Sequence, residues 1–210
     1  MKKLFVFVVV MATVLAFTSC GGEKPEITFP EGDLVIDLGD KEAALVGVTA
    51  KDKKDDLIEK VVVSGLDFVG IGELIYSATN DEGTTNEKRE VTVKSGKLAG
   101  GYYARLAGGS TDISVTFTQS SNVVRLVMSG IVTNDLTFVG DGKTTTLGLL
   151  NSPISMTDED GDKFDLTGEL VYNLKADGTY DVSLFEFSMK YEDPALSEHN
   201  GTLSYTFKRK

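Results

Sequence analysis

The chain has 210 residues, is 41% hydrophobic, and sets 21 Lys and Arg against 32 Asp and Glu, a formal charge of −11. That balance excludes a disordered polyelectrolyte, and it excludes nucleic acid as a partner, because phosphate binding needs a basic face. One Cys and one His exclude an internal disulfide framework, a thiolate metal cluster and most His-based zinc sites and triads.

The first element is an address. Met1-Lys2-Lys3 is basic, and an apolar stretch follows from Leu4 to Phe17. It is too short to cross a hydrocarbon core of about 30 Å, and the pattern predicts a cleaved signal helix over residues 1–19. The run Phe17-Thr18-Ser19-Cys20-Gly21-Gly22 resembles the lipobox of bacterial lipoproteins, with Phe17 where Leu is usual. The resemblance implies that Cys20 receives a diacylglyceryl thioether and becomes the first mature residue. Residues 20–26 are then a lipidated tether. Loss of Lys2 and Lys3 leaves a still more acidic body, so acyl chains rather than charge would hold it to anionic lipid.

From residue 27 the dominant period is two, which predicts strands. Leu34, Ile36 and Leu38 alternate, as do Val46, Val48 and Ala50, then Val61 and Val63, then Leu74, Tyr76 and Ala78, then Val91 and Val93. Turn signals separate them at Gly39-Asp40, Asp55-Asp56 and Asn80-Asp81-Glu82-Gly83. Short strands at this spacing predict a small β-sandwich over 27–95. Residues 44–93 also resemble a bacterial immunoglobulin-like domain of the kind known from pesticidal crystal proteins. The matching stretches are Val48-Thr49-Ala50-Lys51-Asp52, Tyr76 through Thr84, and Arg89-Glu90-Val91-Thr92-Val93. Asn80 stands where that family usually has Asp, and Thr84 where it has Asn. The resemblance implies an architecture and no activity.

Lys94-Ser95-Gly96-Lys97 marks a boundary, and 96–210 is expected to be a second antiparallel domain, either a barrel or a sandwich. Ile113, Val115 and Phe117 alternate, followed by Val124, Leu126 and Met128. Phe164, Leu166, Leu170, Tyr172 and Leu174 share a face, and Asp177-Gly178 turns the chain into Tyr180, Val182 and Leu184. The apolar parity then flips to Phe185, Phe187, Met189 and Tyr191, which requires a β-bulge or a strand that changes sheet. Leu203, Tyr205 and Phe207 form the final strand. No amphipathic helix is expected in this half, so the fold class is all-β.

The order of signal, lipobox, immunoglobulin-like domain and β-rich domain resembles surface lipoproteins of Bacteroides-type bacteria, many of which accompany glycan-import systems. The resemblance implies a lipid-anchored protein of the outer membrane, on the cell surface or on its periplasmic face. Its partners would be the membrane, polysaccharide and outer-membrane import proteins.

Few constellations point to chemistry. Asp158-Glu159-Asp160-Gly161-Asp162 is the densest carboxylate run, but Lys163 breaks the calcium-loop pattern, and a solvated hairpin turn is expected. Asp52-Lys53-Lys54-Asp55-Asp56 is expected to be a solvated loop, and His199 a surface turn residue ahead of the last strand. Gly108-Gly109-Ser110 and Gly140-Asp141-Gly142 precede no helix that could hold an anion, and are expected to be turns. No nucleophile, base or metal motif occurs, so a non-catalytic protein without cofactor is expected. Tyr102-Tyr103 with Arg105 is the candidate sugar platform. Adjacent strand residues face opposite ways, so one tyrosine can be core while the other is outward. Aromatic faces stack on pyranose rings, and Arg105 could hydrogen-bond hydroxyls. With the setting that the lipoprotein resemblance implies, a binding or accessory role in glycan capture is the first expectation, and a structural or adhesive surface protein with the immunoglobulin-like domain as spacer the alternative.

Overall fold

The structure, a computed structural model, describes residues 22–53 and 55–210. The expected signal over 1–19 and the lipobox Cys20 lie outside the described residues. The described chain is all-β. It divides into two compact units: one takes residues up to Glu31 with Gly47–Val63 and Ile75–Lys88, the other Gly32–Val46, Ser64–Leu74 and Arg89–Lys210.

The earlier strands are β1 (Glu26–Thr28), β2 (Leu34–Asp37), β3 (Thr49–Lys51), β4 (Val62–Ser64), β5 (Gly70–Asn80) and β6 (Gly83–Lys94). β1 and β3 form an antiparallel pair. The other four make a sheet in the order β2-β6-β5-β4, with β2 parallel to β6. The alternation in the sequence is realised as burial: Ile36, Leu74, Tyr76, Ala78, Val91 and Val93 are all buried. One expected run is interrupted. Residues Lys41–Leu45 form a single helical turn, α1, whose first turn is capped by the Asp40 carboxylate accepting from the Ala43 N–H at 2.9 Å. Val46 ends that helix and is 70% exposed, whereas Val48 and Ala50 are buried as expected.

The later strands are β7 (Gly100–Leu106), β8 (Asp112–Gln119), β9 (Arg125–Ser129), β10 (Leu136–Gly140), β11 (Thr146–Leu149), β12 (Ile154–Thr157), β13 (Lys163–Leu174), β14 (Tyr180–Tyr191) and β15 (Gly201–Arg209). Each pairs antiparallel with the next in the order β7-β8-β9-β10-β11-β13-β14-β15, and β15 pairs with β7. The described residues thus close an eight-stranded barrel, which decides between the two architectures the sequence left open. β12 extends β11 along the same edge of β13, separated from it by residues 150–153. The acidic loop Asp158–Asp162 is the hairpin turn between β12 and β13, as expected.

The barrel interior is filled by side chains. Tyr102, Phe117, Phe138 and Phe185 are buried, with edge-to-face ring pairs Tyr102–Phe117 at 5.1 Å and Phe138–Phe185 at 5.3 Å. The parity flip on β14 is a β-bulge: Val171 faces Leu184 and Tyr172 faces Val182, leaving Ser183 unpaired on the ladder. The Ser183 hydroxyl donates to the Val171 carbonyl at 3.1 Å, and Val182 and Phe185 can both point inward. Leu174, expected on the buried face, is 55% exposed because it ends β13 at the barrel rim, beside the Lys175–Thr179 turn.

Gly140-Asp141-Gly142 is more than a turn. The Gly142 N–H donates to the Val69 carbonyl at 3.0 Å, and the two backbones run in direct contact. A Cβ on Gly142 would lie 1.8 Å from the Ile71 carbonyl oxygen, and one on Gly140 would lie 2.0 Å from that of Val69. Only glycine permits this approach. The Asp141 carboxylate accepts from the N–H groups of Lys143 and Thr144 and fixes the turn that follows.

Candidate functional site

β7 separates the two candidate tyrosines by the pleat. Tyr102 is fully buried in the barrel, where its hydroxyl donates to the Leu98 carbonyl at 3.1 Å and accepts from the Val182 N–H at 3.4 Å. Burial raises the phenol pKa, against the lowering effects of the Val182 hydrogen bond and the Arg209 charge. Tyr102 is therefore a core residue and is corrected as a ligand contact: no face of its ring reaches solvent.

Tyr103 points outward and is 46% exposed. The strand registers place it at the centre of a grid on the outer barrel wall. Lys208 of β15 lies opposite on one side and Ser114 of β8 on the other. One row along, Arg105 lies between Thr206 and Asp112. Arg105 and Asp112 form an ion pair with Nε to Oδ1 at 2.7 Å, which holds the Asp112 carboxyl below its ordinary range. Lys208 adds a smaller lowering of its own. The Lys210 ammonium sits 5.0 Å from the centre of the Tyr103 ring and donates to the Ser114 hydroxyl. Tyr103, Arg105, Asp112, Thr206 and Lys208 line a shallow depression of about 310 Å³. One wall is aromatic and the others carry a guanidinium, a carboxylate, an ammonium and a hydroxyl.

The sequence left open which tyrosine faces outward, and it missed Asp112, Thr206 and Lys208. Thr206 and Lys208 come from β15, which a linear reading does not pair with β7, and Asp112 meets Arg105 only through the β7–β8 register. The outward parity of Thr206 and Lys208 beside inward Tyr205 and Phe207 is the signal that pointed to them.

A second concavity lies at the barrel end where β7 begins and β15 finishes. It is a cleft of about 850 Å³ whose lining includes Lys41, Lys97, Lys175, Asp181, Arg209 and Lys210. Asp181 is 6% exposed and accepts from both Lys175 and Arg209. Burial acts to raise its pKa, but the hydrogen bonds and charges of Lys175 and Arg209 outweigh this and hold the carboxyl below its ordinary value. Arg209 also donates to the carbonyls of Ala99, Lys97 and Tyr180, each at 3.0 Å, and its guanidinium lies 4.9 Å from the Tyr102 ring centre. The floor of the cleft is thus a fixed charge network that also braces the core.

The remaining candidates are structural. The Asp158 carboxylate accepts from the N–H groups of Asp160 and Asp162 and from the Tyr191 hydroxyl, the bonding of a turn. His199 closes the 3₁₀ turn Pro194–His199 ahead of β15. Among the described residues no group of three or more His, Cys, Asp or Glu side chains is placed to hold a metal ion.

No family model matches the chain, and no curated protein matches it. Among solved structures it is similar to the crystal structure of the lipoprotein BT2262 from Bacteroides thetaiotaomicron, with 14% identity and a TM-score of 0.25, over 88% of this chain and 100% of that one.

Proposed function

We propose that the protein is a non-catalytic, lipid-anchored surface module that captures extracellular glycan through the outer wall of its barrel. The observation that carries the reading is the depression around Tyr103, in which an exposed aromatic ring stands beside the Arg105–Asp112 pair and the Thr206 hydroxyl. A ring supplies stacking for the C–H face of a sugar, and the paired charged groups supply donors and acceptors for its hydroxyls in fixed directions. Buried side chains, Tyr102, Phe117, Phe138 and Phe185 among them, occupy the barrel interior, and this reading puts recognition on the outside wall. In this reading Cys20 carries the lipid anchor at the outer membrane, the immunoglobulin-like region is a spacer, and outer-membrane import proteins are the partners that receive the captured polymer. Each acyl methylene buried in lipid contributes about 0.8 kcal/mol, so two or three chains give stable anchoring.

Two measurements on the full-length protein test this. Fatty-acid labelling with mass spectrometry of the mature N-terminus should find acylated Cys20, and Cys20→Ala should abolish the label. An unmodified N-terminus beyond Cys20 ends the anchor assignment. Affinity electrophoresis through polysaccharide gels should retard the detergent-solubilised protein, and Tyr103→Ala should remove the retardation. Self-association or binding to host protein, with no retardation in any gel, instead gives the structural or adhesive reading.

A further inference from the structure

Resting on the glycan reading, we infer that the ligand is an anionic polysaccharide, one bearing carboxylate or sulfate groups, and that it runs as an extended polymer from the Tyr103 depression over the barrel rim to Lys97 and Lys41 in the cleft. The grid around Tyr103 holds three cations, Arg105, Lys208 and Lys210, against one carboxylate, Asp112. Asp112 is committed to Arg105, so the charges of Lys208 and Lys210 are left over. This local excess stands on a chain with a net charge of −11. An acidic body repels an acidic polymer at long range, and a cationic strip is what lets one surface of it accept such a polymer. A neutral glycan gains hydrogen bonds but no ion pair from that strip.

The strip also has a direction. β15 alternates across the barrel wall, so Lys208 and Lys210 face out while Arg209 faces in. Lys210 both caps the Tyr103 ring and lines the cleft. Beyond it, Lys97 and Lys41 continue the basic lining of the cleft, whereas its most buried carboxylate, Asp181, is already bonded to Arg209 and Lys175. Asp40 caps α1 and Asp177 accepts from Thr179, so these carboxylates too are engaged by neighbouring groups, and Glu42 is the remaining carboxylate of the lining. One end of the strip is aromatic, and at the other Lys41, Lys97, Lys175, Arg209 and Lys210 stand against the carboxylates of Asp40, Glu42, Asp177 and Asp181. A polymer long enough to bridge them engages the depression and the cleft lysines together, so affinity should rise with chain length.

The test uses the full-length protein in neutral detergent and isothermal titration against matched polymers. The pairs are polygalacturonate with its fully methyl-esterified form, and chondroitin sulfate with desulfated, carboxyl-reduced chondroitin. Polyglutamate serves as a polyanion without sugar. At about 20 mM salt the acidic member of at least one pair should bind about tenfold tighter than its neutral counterpart, as two or three exposed ion pairs would give. At about 300 mM salt that advantage should shrink severalfold by screening. Lys208→Gln with Lys210→Gln should remove the advantage and leave weak binding of the neutral form. Lys41→Gln with Lys97→Gln should leave short oligomers unaffected and weaken long ones. Equal binding of acidic and neutral members overturns the anionic assignment while leaving glycan capture standing. Polyglutamate binding as tightly as the acidic sugars overturns it too. Length-independent affinity overturns the path to the cleft. Failure of every polysaccharide to bind overturns both the glycan reading and this inference.

Discussion

Arg209 donates its Nε to the buried carboxylate of Asp181, and the same guanidinium covers one face of the Tyr102 ring. A single side chain on the last strand therefore joins the cleft floor to the barrel core. Arg209→Ala would leave Asp181 with Lys175 alone and orphan three carbonyl acceptors. Loss of one partner of a buried pair typically costs about 3 kcal/mol or more, and chemical denaturation should show a loss of that size. Arg209→Lys should recover little of it, because an ammonium cannot fork to Asp181 and the carbonyls of Lys97, Ala99 and Tyr180 together.

The charge network gives stability an acid limit. The Asp181 carboxyl titrates below its unfolded value, so its contribution is present above about pH 4 and fades as pH falls through the folded value. Asp181→Asn should flatten that acid limb in melting curves taken across pH, besides lowering stability at neutrality.

An alkaline limit comes from the core phenols. Burial raises the pKa of Tyr102, Tyr172 and Tyr180, and the Tyr180 hydroxyl also donates to the Asp67 carboxylate at 2.7 Å. Their contribution is complete below the unfolded phenol value of about 10 and is lost as pH climbs above it. Phenolate absorbance and circular dichroism should therefore change together, with these tyrosines ionising as the barrel opens.

Tyr102→Ala and Tyr103→Ala should separate stability from binding. The first empties a core site and should cost about 3–5 kcal/mol. The second changes an exposed position and should stay within about 0.5 kcal/mol while abolishing polysaccharide retardation. A Tyr103→Ala variant that melts like wild type and binds like wild type removes the platform.

Gly142→Ala should cost more than about 3 kcal/mol or prevent folding, because the new methyl must displace the Ile71 carbonyl oxygen, a backbone atom. Gly178 is the control. It is also at positive φ, 82°, but nothing lies within 4 Å of its would-be Cβ, so Gly178→Ala should cost only about 1–2 kcal/mol of backbone strain. Thermal melts of the two variants measure the difference.

Alternation made most of the strands legible in the sequence, and the reversal of parity at Leu184 and Phe185 located the bulge to within a residue or two of Ser183. α1 was not legible, because five residues are too few to display a 3.6-residue period against the surrounding strand pattern. Barrel against sandwich was undecidable because both bury one face of each strand; the difference is which strand meets β7, and no local signal names it. Tyr103 and Arg105 were among the candidates, with the outward tyrosine left open. Their partners were not, since Asp112, Thr206 and Lys208 are joined to them by register alone, and Lys41 reaches the cleft from a segment far upstream of the barrel.

Barrel closure joins residues far apart in the chain: the Thr206 hydroxyl reaches the Arg105 carbonyl across 101 positions. Every other strand can be laid down as a neighbouring hairpin or short connection, so the open sheet can assemble progressively and wait with two unpaired edges. Searching for a contact of that separation is slow, and until it is made both edges can pair with another molecule. Closure waits on β15, the last of the eight barrel strands in chain order. That makes β15, which carries Lys208 and Arg209 and leads into Lys210, the segment on which closure, the aromatic depression and the cleft all depend at once.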